Sequence, residues 1–426
     1  EVVKVFGFSL EQVDRLSSVV RWWDSLNDAT LARLRDSGFD PGDARFRHGL
    51  AMGGAIQGLP RLRATHVGGF VLSSAPLGDW MPVEQTTMGR TIVQFDKDDL
   101  DAVGVPKFDF LGLGGLAMIR RAFDAIEVRT GTRPEMYKLP YDDDPKTYEL
   151  VSRGDTGGTF QIESRAQISS IVHTRPEKLY DIVVQVALIR PGPIQAKFVR
   201  PYTRRRRGEE QPTYVHPALE PILKRTQGIP VFQEQAMAIA MALGGYSGGE
   251  ADEMRRTMGN IRKQKRLEGA LERLHKRMIE NERVVPRVTP EIATQLCDDL
   301  LSFANYGFPE SHAWSFALIA YATAHLKVHY PAEFYRGILN AWPMGFYSPA
   351  TLIHDAKRQR VEVRSPCLHY GNWECTTEPS ADPAKPALRI GWRFVRGMGE
   401  RTLEKLRNAH GAAPFTSIED VVTRAR

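Results

Sequence analysis

Cysteine is scarce in this sequence, and long apolar runs do not occur. Three cysteines, Cys297, Cys367 and Cys375, are found among 426 residues. This number provides no framework of paired disulfides, which agrees with a reducing compartment such as the cytoplasm. No apolar run approaches the roughly 20 residues of a membrane-spanning helix. We therefore expect a soluble, cytoplasmic protein whose partners do not include a membrane.

Two familiar kinds of site are also missing from the sequence. Cys367, His369 and Cys375 match no common spacing of zinc ligands, and a fourth ligand is lacking, so we expect no zinc site there. No glycine-rich Walker loop ending in Lys-Ser or Lys-Thr occurs, which argues against an unrelated phosphotransferase. The length of 426 residues predicts about two to four domains. The chain begins at Glu1, within an amphipathic helical pattern, and we expect it to be part of a longer protein.

Basic residues are concentrated in two short clusters. The net charge of +6 and the isoelectric point near 9.1 are modest for this length, so the position of the charges matters more than their total. The first cluster, in a turn-prone stretch, contains Arg200, Arg204, Arg205, Arg206 and Arg207, and the second contains Arg255, Arg256, Arg262, Lys263, Lys265 and Arg266. Because acidic residues do not compensate these arginines locally, we expect both clusters to bind phosphate. The alternative is solvated charge on a loop and on a helix face.

The hydrophobic pattern divides the chain into four regions and predicts an α+β, mainly helical, multidomain protein. Residues 1–65 have helical spacing, and residues 66–125 contain three short strand patterns that indicate a small sheet. The region 126–350 is mostly helical, and 351–426 combines short strands with a helical tail. The strands are predicted at 68–72, 91–95 and 106–111, and long amphipathic helices at 231–243 and 290–302.

The segment 303–334 joins an aromatic, glycine-broken loop to a helix with two different faces. Ser311 is the predicted N-cap of this helix. Small and apolar side chains recur at helical spacing and predict close packing on a neighbour; they are Ala313, Phe316, Ala317, Ala320 and Ala324. Tyr306 and His312 lie at the junction, where a ring and an imidazole can flank a base or a phosphate. A buried Tyr–His pair that only fixes the junction is the alternative.

The strand pattern at 106–111 places two opposite charges on one face. Alternation puts Lys107 and Asp109 on one side, and Phe108 and Phe110 on the other, buried side. A carboxylate beside an ammonium suits a site for a divalent metal and a triphosphate. A surface ion pair is the alternative.

Three further short motifs carry polar groups. Asp142, Asp143 and Asp144 lie between two prolines just before a helical pattern, so we interpret them as a helix cap rather than a metal cluster. The adjacent Arg255 and Arg256 can clamp phosphate oxygens from one helix. Gly397 and Gly399, at a helix start, leave backbone N–H groups open to a phosphate.

Five segments in this order resemble the C-family bacterial DNA polymerases, the DNA polymerase III alpha subunits. They are KFDFLGL, GGTFQIESRAQ, ALIRPGPIQ, VFQEQAMAIAMALGGYSGGEADEMRRTMGN and FANYGFPESHAWSFALIAYATAHLKVHYPAEF. The resemblance covers nearly the whole chain. The segments ANYGFPESHAWSF, TRPEKLYDIVVQVALIRPGPIQ and NAWPMGFYSPATLIHDA are more similar to the error-prone, ImuC-type branch of damage-induced mutagenesis.

The resemblance implies a domain organisation. Residues 1–65 would be the end of a helical thumb, and 66–125 the second half of a palm related to the polymerase-beta type. Residues 126–350 would be a large helical fingers region, and 351–426 the start of a tandem helix-hairpin-helix region that binds DNA.

The resemblance also implies roles for single residues. Asp109 matches the third catalytic carboxylate, a metal ligand, and Lys107 the lysine that contacts the triphosphate. The nucleotide-binding positions are Arg255, Arg256, Tyr306, Ser311 and His312. We expect DNA binding at Arg204, Arg205, Arg206, Arg207, Gly397 and Gly399. The expected cofactor is Mg²⁺, two ions in the intact site, and the expected partners are primer-template DNA, deoxynucleoside triphosphates, a sliding clamp and mutagenesis accessory proteins.

The sequence departs from the family pattern in one respect. The Pro-Asp-x-Asp-x-Asp-Phe motif with the other two catalytic aspartates is not found, and neither is the PHP domain. One carboxylate cannot hold two metal ions against water. We therefore expect the intact protein to extend primers in DNA replication, DNA repair and translesion synthesis, and these 426 residues alone to be inactive. A truncated, non-catalytic DNA-binding or partner scaffold is the alternative.

Overall fold

The computed structural model describes most of the chain, in two units. The described residues are 2–19, 28–40, 42–56, 59, 65–66, 68–87, 89–110, 112–190, 193–194, 197–258, 264–304, 308–344, 347–412 and 414–425. Unit 1 is Glu1–Leu111 and unit 2 is Gly112–Arg426. The helix that follows this division packs on helices of unit 2. The domain boundary expected at residue 125 stays a prediction.

Unit 1 combines helices with two short antiparallel ribbons. Its helices are α1 Val2–Val5, α2 Leu10–Val19, α3 Asp28–Asp36, α4 Ala44–Ala55 and α5 Lys97–Ala102, and its strands are β1 Gly69–Val71, β2 Val83–Gln85, β3 Thr91–Val93 and β4 Lys107–Asp109. Strand β1 pairs with β4, and β2 pairs with β3. The three predicted strands are confirmed as β1, β3 and β4. The predicted single sheet is two separate ribbons in the described chain, and β2 was missed because its sequence, Val-Glu-Gln, has little strand character.

The helical part of unit 1 has a small aromatic core. Phe39 and Phe46 stack with ring centroids 5.1 Å apart and pack with Leu34. The side chain of Asp43 caps α4 by accepting the N–H of Arg45. Asp96 and Asp99 form a capping box at the start of α5, the helix that precedes β4 in the chain.

Unit 2 is mainly helical. Its helices are α6 Gly114–Thr130, α7 Pro145–Ser152, α8 Arg165–Thr174, α9 Leu179–Leu188, α10 Val199–Arg206, α11 Glu220–Leu223, α12 Gln233–Gly244, α13 Gly248–Arg255, α14 Gln264–Glu280, α15 Pro290–Ala304, α16 Glu310–His329, α17 Pro331–Asn340, α18 Pro349–Arg358, α19 Glu400–Ala412 and α20 Ile418–Arg424. The strands β5 Val363–Arg364, β6 Thr376–Glu378 and β7 Ala387–Arg389 form a sheet in the order β5-β7-β6. The helices predicted at 231–243 and 290–302 are confirmed as α12 and α15.

The core of unit 2 is built around α16. Ala313, Ala317, Ala320 and Ala324 are fully buried, and α16 packs closely on the apolar helix α9. The predicted close-packing face is therefore confirmed. Helix α6 crosses α17 at Gly337, where a Cβ would lie 2.7 Å from the carbonyl oxygen of Met118.

The start of α16 differs from the prediction. Pro309, not Ser311, is the N-cap residue, and it provides no side-chain cap. The N–H of Glu310 instead donates to Glu234 Oε2 at 2.9 Å, so a side chain from α12 satisfies this helix end. Among the described helices, none has the length and apolar character needed to cross a membrane.

Candidate functional site

Lys107 and Asp109 lie side by side on β4 in unit 1. The Nζ of Lys107 is 2.8 Å from Asp109 Oδ1, as alternation along the strand predicted. Gly69 on β1 is paired with Asp109, and a Cβ at Gly69 would lie 2.6 Å from Lys107 Cε and 3.0 Å from Asp109 Oδ1. Glycine at this position therefore leaves room for both charged groups above the ribbon.

A third polar group, His66, joins this pair. Its Nδ1 lies 3.6 Å from Asp109 Oδ1 and would be 2.7 Å from a Cβ on Gly69. The hydrogen bond from Lys107 holds the pKa of the Asp109 carboxyl below its usual range, so the group is anionic at neutral pH. Sequence reasoning missed His66 because only the pairing of β1 with β4 brings it to Asp109.

The opposite face of the ribbon is not buried, contrary to the prediction. Phe108 is 41% exposed and Phe110 is 77% exposed. Phe70 stacks against both rings, with centroid distances of 5.6 Å to Phe108 and 5.3 Å to Phe110. A two-stranded ribbon has too little surface to cover these rings, so they pack on one another instead.

Arg255 and Arg256 share one carboxylate at the end of α13. Arg255 Nη2 lies 2.8 Å from Asp252 Oδ1, and Arg256 Nε lies 2.9 Å from Asp252 Oδ2. Acidic residues therefore compensate these arginines, contrary to the expectation. Most of the Arg256 side chain is exposed, so its guanidinium can also contact an anion that lies beside the Asp252 carboxylate.

The first arginine cluster is helical and paired, not a turn with unpaired charges. It lies on α10 and its C-cap, Arg207. Arg205 lies 2.9 Å from Glu210 and also donates to the carbonyl of Gln227, and Arg206 lies 2.6 Å from Asp181. These two side chains are largely buried, and they connect α10 to neighbouring segments of unit 2. Arg204 and Arg207 remain exposed.

His312 lies in an aromatic group at the start of α16. Its ring is 5.1 Å from Phe308 and 4.1 Å from Phe316, and the guanidinium of Arg190 lies 4.3 Å from the Phe308 centroid. Ser311 is exposed beside it. Tyr306 lies outside the described residues. The region thus combines rings, an imidazole and a guanidinium, which are groups that suit a nucleotide.

Gly397 and Gly399 precede α19 with open space around them. Gly397 has φ +81°, a conformation that favours glycine, and neither residue has a neighbour within 4 Å of an added Cβ. The open space leaves room for a phosphate to approach this helix start, although the N–H of Met398 is already donated to the carbonyl of Val395.

A further polar cluster of unit 2 was missed. Asp144 caps α7, as predicted for the acidic triplet, and it also lies against His325 and His329 of α16. Burial opposes ionisation, but hydrogen bonds from Thr147 and both histidines outweigh it and hold the pKa of Asp144 well below its usual range. Burial lowers the pKa of His325. The spacing of the histidines was visible in the sequence, but their approach to Asp144 was not.

Three models of known protein domains match consecutive parts of the chain. Residues 1–112 match the model of the bacterial DNA polymerase III alpha NTPase domain, residues 115–282 the finger domain of the same subunit, and residues 360–426 a helix-hairpin-helix motif. The first two matches meet at the division between the two units.

Similar curated proteins match along the whole chain. A protein from Pseudomonas paraeruginosa and one from Pseudomonas syringae pv. syringae are each 45% identical, and one from Pseudomonas aeruginosa is 44% identical. Each is named error-prone DNA polymerase, and each alignment covers 100% of this chain and 41% of the relative. Since the three domain matches follow one another and these relatives align along the whole chain, the chain belongs to the bacterial DNA polymerase III alpha subunit family.

Proposed function

We propose that the intact protein is an error-prone DNA-directed DNA polymerase that acts in replication and in damage-induced translesion synthesis. The name of the similar proteins supports this function. The structural observation that supports it best is the pair of Lys107 and Asp109, 2.8 Å apart on one strand. An anionic oxygen beside a cationic amine is the arrangement that phosphoryl transfer from a metal-bound triphosphate needs.

Asp109 fits the role of one magnesium ligand. Its carboxylate is half-exposed, anionic and lies at a strand end, and Mg²⁺ prefers such oxygen ligands. Bound Mg²⁺ would supply Lewis-acid stabilisation of the attacking 3′-oxygen and of the leaving pyrophosphate. In the described chain one group of three metal-ligating side chains occurs, and Asp109 is not part of it. We infer that the intact protein supplies the remaining carboxylates.

Two charged groups on the ribbon would then have separate roles. Asp109 would bind the metal ion as an anion at neutral pH. Lys107 would place a compact positive charge on the triphosphate, where it can lower the energy of the charge that develops on the leaving group. Because both groups lie on one face of the same strand, they would be oriented together before the substrate arrives, which reduces the cost of orientation.

The nucleotide and DNA contacts would lie mainly in unit 2. We assign the triphosphate to Arg255 and Arg256, and the nascent base pair to Ser311, His312 and Tyr306. We assign DNA phosphates to the exposed Arg204 and Arg207 and to the glycines before α19, and only a supporting role to Arg205 and Arg206. A sliding clamp and mutagenesis accessory proteins would be partners of the intact protein.

Primer extension by the intact protein tests the function. With a primed template and Mg²⁺, we expect addition of the nucleotide complementary to each of four template bases, and extension past an abasic site. A template without a primer is the control. DNA binding without extension would contradict the proposal and favour a non-catalytic scaffold.

A further inference from the structure

Two histidines of α16 and one aspartate of α7 converge in unit 2. His325 and His329 are one helical turn apart, so their rings lie on the same flank, with centroids 4.5 Å apart. Asp144, at the N-cap of α7, faces both rings. The sequence separation is 181 residues to His325 and 185 residues to His329, so this contact is made by the tertiary fold.

The three groups have the spacing of a metal site. His325 Nδ1 lies 2.8 Å from Asp144 Oδ2, His329 Nε2 lies 3.0 Å from each carboxylate oxygen, and one ligand atom from each of the three residues lies within 4.8 Å of the others. Ligands at about 2.0–2.1 Å from a tetrahedral zinc ion lie about 3.3 Å apart. The two imidazole–carboxylate distances therefore need to increase by only a few tenths of an ångström, and the two ring nitrogens already lie within 4.8 Å of each other.

Four polar groups lie within hydrogen-bond distance of one oxygen, Asp144 Oδ2: both imidazoles and the hydroxyls of Thr147 and Tyr321. Besides the two imidazoles, Thr147 donates its N–H at 3.3 Å and its hydroxyl at 2.5 Å. The hydroxyl of Tyr321 lies 3.1 Å from Asp144 Oδ2 but also 2.6 Å from the carbonyl of Pro140, and it has one proton to donate. A single carboxylate oxygen offers about two lone-pair sites, so Oδ2 is crowded. If both imidazoles turn lone pairs to a cation, this crowding is relieved.

We propose that Asp144, His325 and His329 bind a zinc-type transition-metal dication that ties α16 to α7. Two imidazole nitrogens and one carboxylate oxygen are ligands typical of zinc and related ions, and they do not suit magnesium. Two histidines four residues apart on one helix are a recurring half of such sites. The site is distinct from the ribbon of unit 1, and the proposal does not depend on polymerase activity.

The burial of the three side chains suits an ion that arrives from solvent. The side chains of Asp144 and His325 are 5% and 12% exposed, and that of His329 is 30% exposed. The exposed edge of His329 provides the route of entry, and a water molecule can complete the coordination. The ion would cross-link two helices far apart in sequence and stabilise the fold of unit 2.

Metal titration of the full chain tests the site. After treatment with a chelator, the protein is titrated with zinc by calorimetry and with cobalt by visible absorption. We expect one site that is lost, or weakened at least tenfold, in His325→Ala, His329→Ala and Asp144→Asn. Asparagine is as good an N-cap as aspartate, so the last variant removes the anionic ligand and keeps the helix cap. His354→Ala, which removes an exposed histidine of the same unit, is the control.

Thermal unfolding with zinc provides a second test of the site. Zinc should raise the melting temperature of the wild type and of His354→Ala by several degrees, and leave the three ligand variants unchanged. If a variant fails to fold, X-ray absorption of the cobalt-loaded wild type still counts the ligands, and two imidazoles are expected. Equal affinities in all variants, no binding at about 0.1 mM zinc, or a cobalt spectrum without imidazole ligands would overturn the proposal and leave a hydrogen-bonded network.

Discussion

Arg204 and Arg206 lie close together on α10 but have different surroundings. The side chain of Arg206 is 20% exposed and lies 2.6 Å from the buried Asp181. Loss of this guanidinium leaves the buried carboxylate without its countercharge, although two backbone N–H groups still donate to it. We therefore predict that Arg206→Ala lowers the free energy of unfolding by about 3 kcal/mol. The side chain of Arg204 is 51% exposed, and its ion pair with Glu210 spans 3.6 Å. Arg204→Ala should cost less than about 1 kcal/mol.

Urea unfolding and DNA binding together separate these two arginines. If Arg204 contacts a DNA phosphate, Arg204→Ala should reduce the slope of log affinity against log salt by about 0.9. Arg206→Ala should leave that slope unchanged under conditions where the variant is folded. Equal losses of stability in both variants would contradict the structural role of Arg206.

Glu163 should make the stability of the protein depend on pH. Burial raises the pKa of Glu163 to about 7 from an ordinary value of 4.5, although the N–H of Gly158 donates to its carboxylate at 3.1 Å. The folded protein therefore keeps a proton that the unfolded chain releases. The stabilising contribution is complete below pH 4.5 and is lost as the pH rises through about 7.

The glutamine variant isolates this contribution. We predict that the free energy of unfolding decreases less between pH 4.5 and 7 in Glu163→Gln than in the wild type, because glutamine has no proton to lose. Chemical unfolding at several pH values measures the difference. Glu149→Gln, an exposed site, is the control. Parallel pH profiles for wild type and Glu163→Gln would show that the buried carboxyl does not titrate in this range.

The sequence was sufficient to place two side chains next to each other where one strand decides their geometry. Alternation along β4 was sufficient to place Lys107 beside Asp109. The partners of the arginines were not predictable, because Asp181 lies 25 residues before Arg206 in the sequence and only the packing of α10 brings them together. The same limit hid the approach of His66 to Asp109, which depends on the register between two strands.

At the scale of elements, the glycines before α19 offer a test of the DNA-binding role. Gly399 has open space around it and no positive φ, so Gly399→Val should preserve the fold and obstruct only the close approach of a phosphate. We predict weaker binding of duplex DNA, with unchanged base preference. Gly411→Val, also with open space but at the other end of α19, is the control.

Fluorescence anisotropy at several salt concentrations measures this effect. About four phosphate contacts would lower the affinity of the wild type roughly a hundredfold between about 50 and 200 mM salt. The Gly399→Val variant should bind less tightly at each salt concentration. A flat salt response, or equal losses at Gly399 and Gly411, would contradict a phosphate site at this helix start.

Long periodic elements were predictable, and their ends were not. The small-residue face of α16 follows from its spacing, and so does its close packing on α9. The N-cap expected at Ser311 was wrong because a glutamate of another helix, Glu234, satisfies the first N–H group. A cap provided across the tertiary structure leaves no local signal in the sequence.

At the scale of the whole molecule, composition and pattern predicted a mainly helical protein with small sheets. The chain divides into its two units between residues 111 and 112, and α6 packs on α17 of unit 2. Helix–helix contacts of this kind depend on which faces meet, which the periodicity of one segment does not determine. The expected roles of thumb, palm and fingers stay predictions for the intact polymerase.

Single-turnover nucleotide incorporation by the intact protein tests most directly whether Asp109 takes part in the chemistry. We predict that Asp109→Asn binds primer-template DNA normally and incorporates a nucleotide at least about a thousandfold more slowly, because a charged metal ligand is lost. Asp101→Asn, an exposed site in the same unit, should incorporate at the wild-type rate. Incorporation by Asp109→Asn within about tenfold of the wild type would contradict a catalytic role for the ribbon.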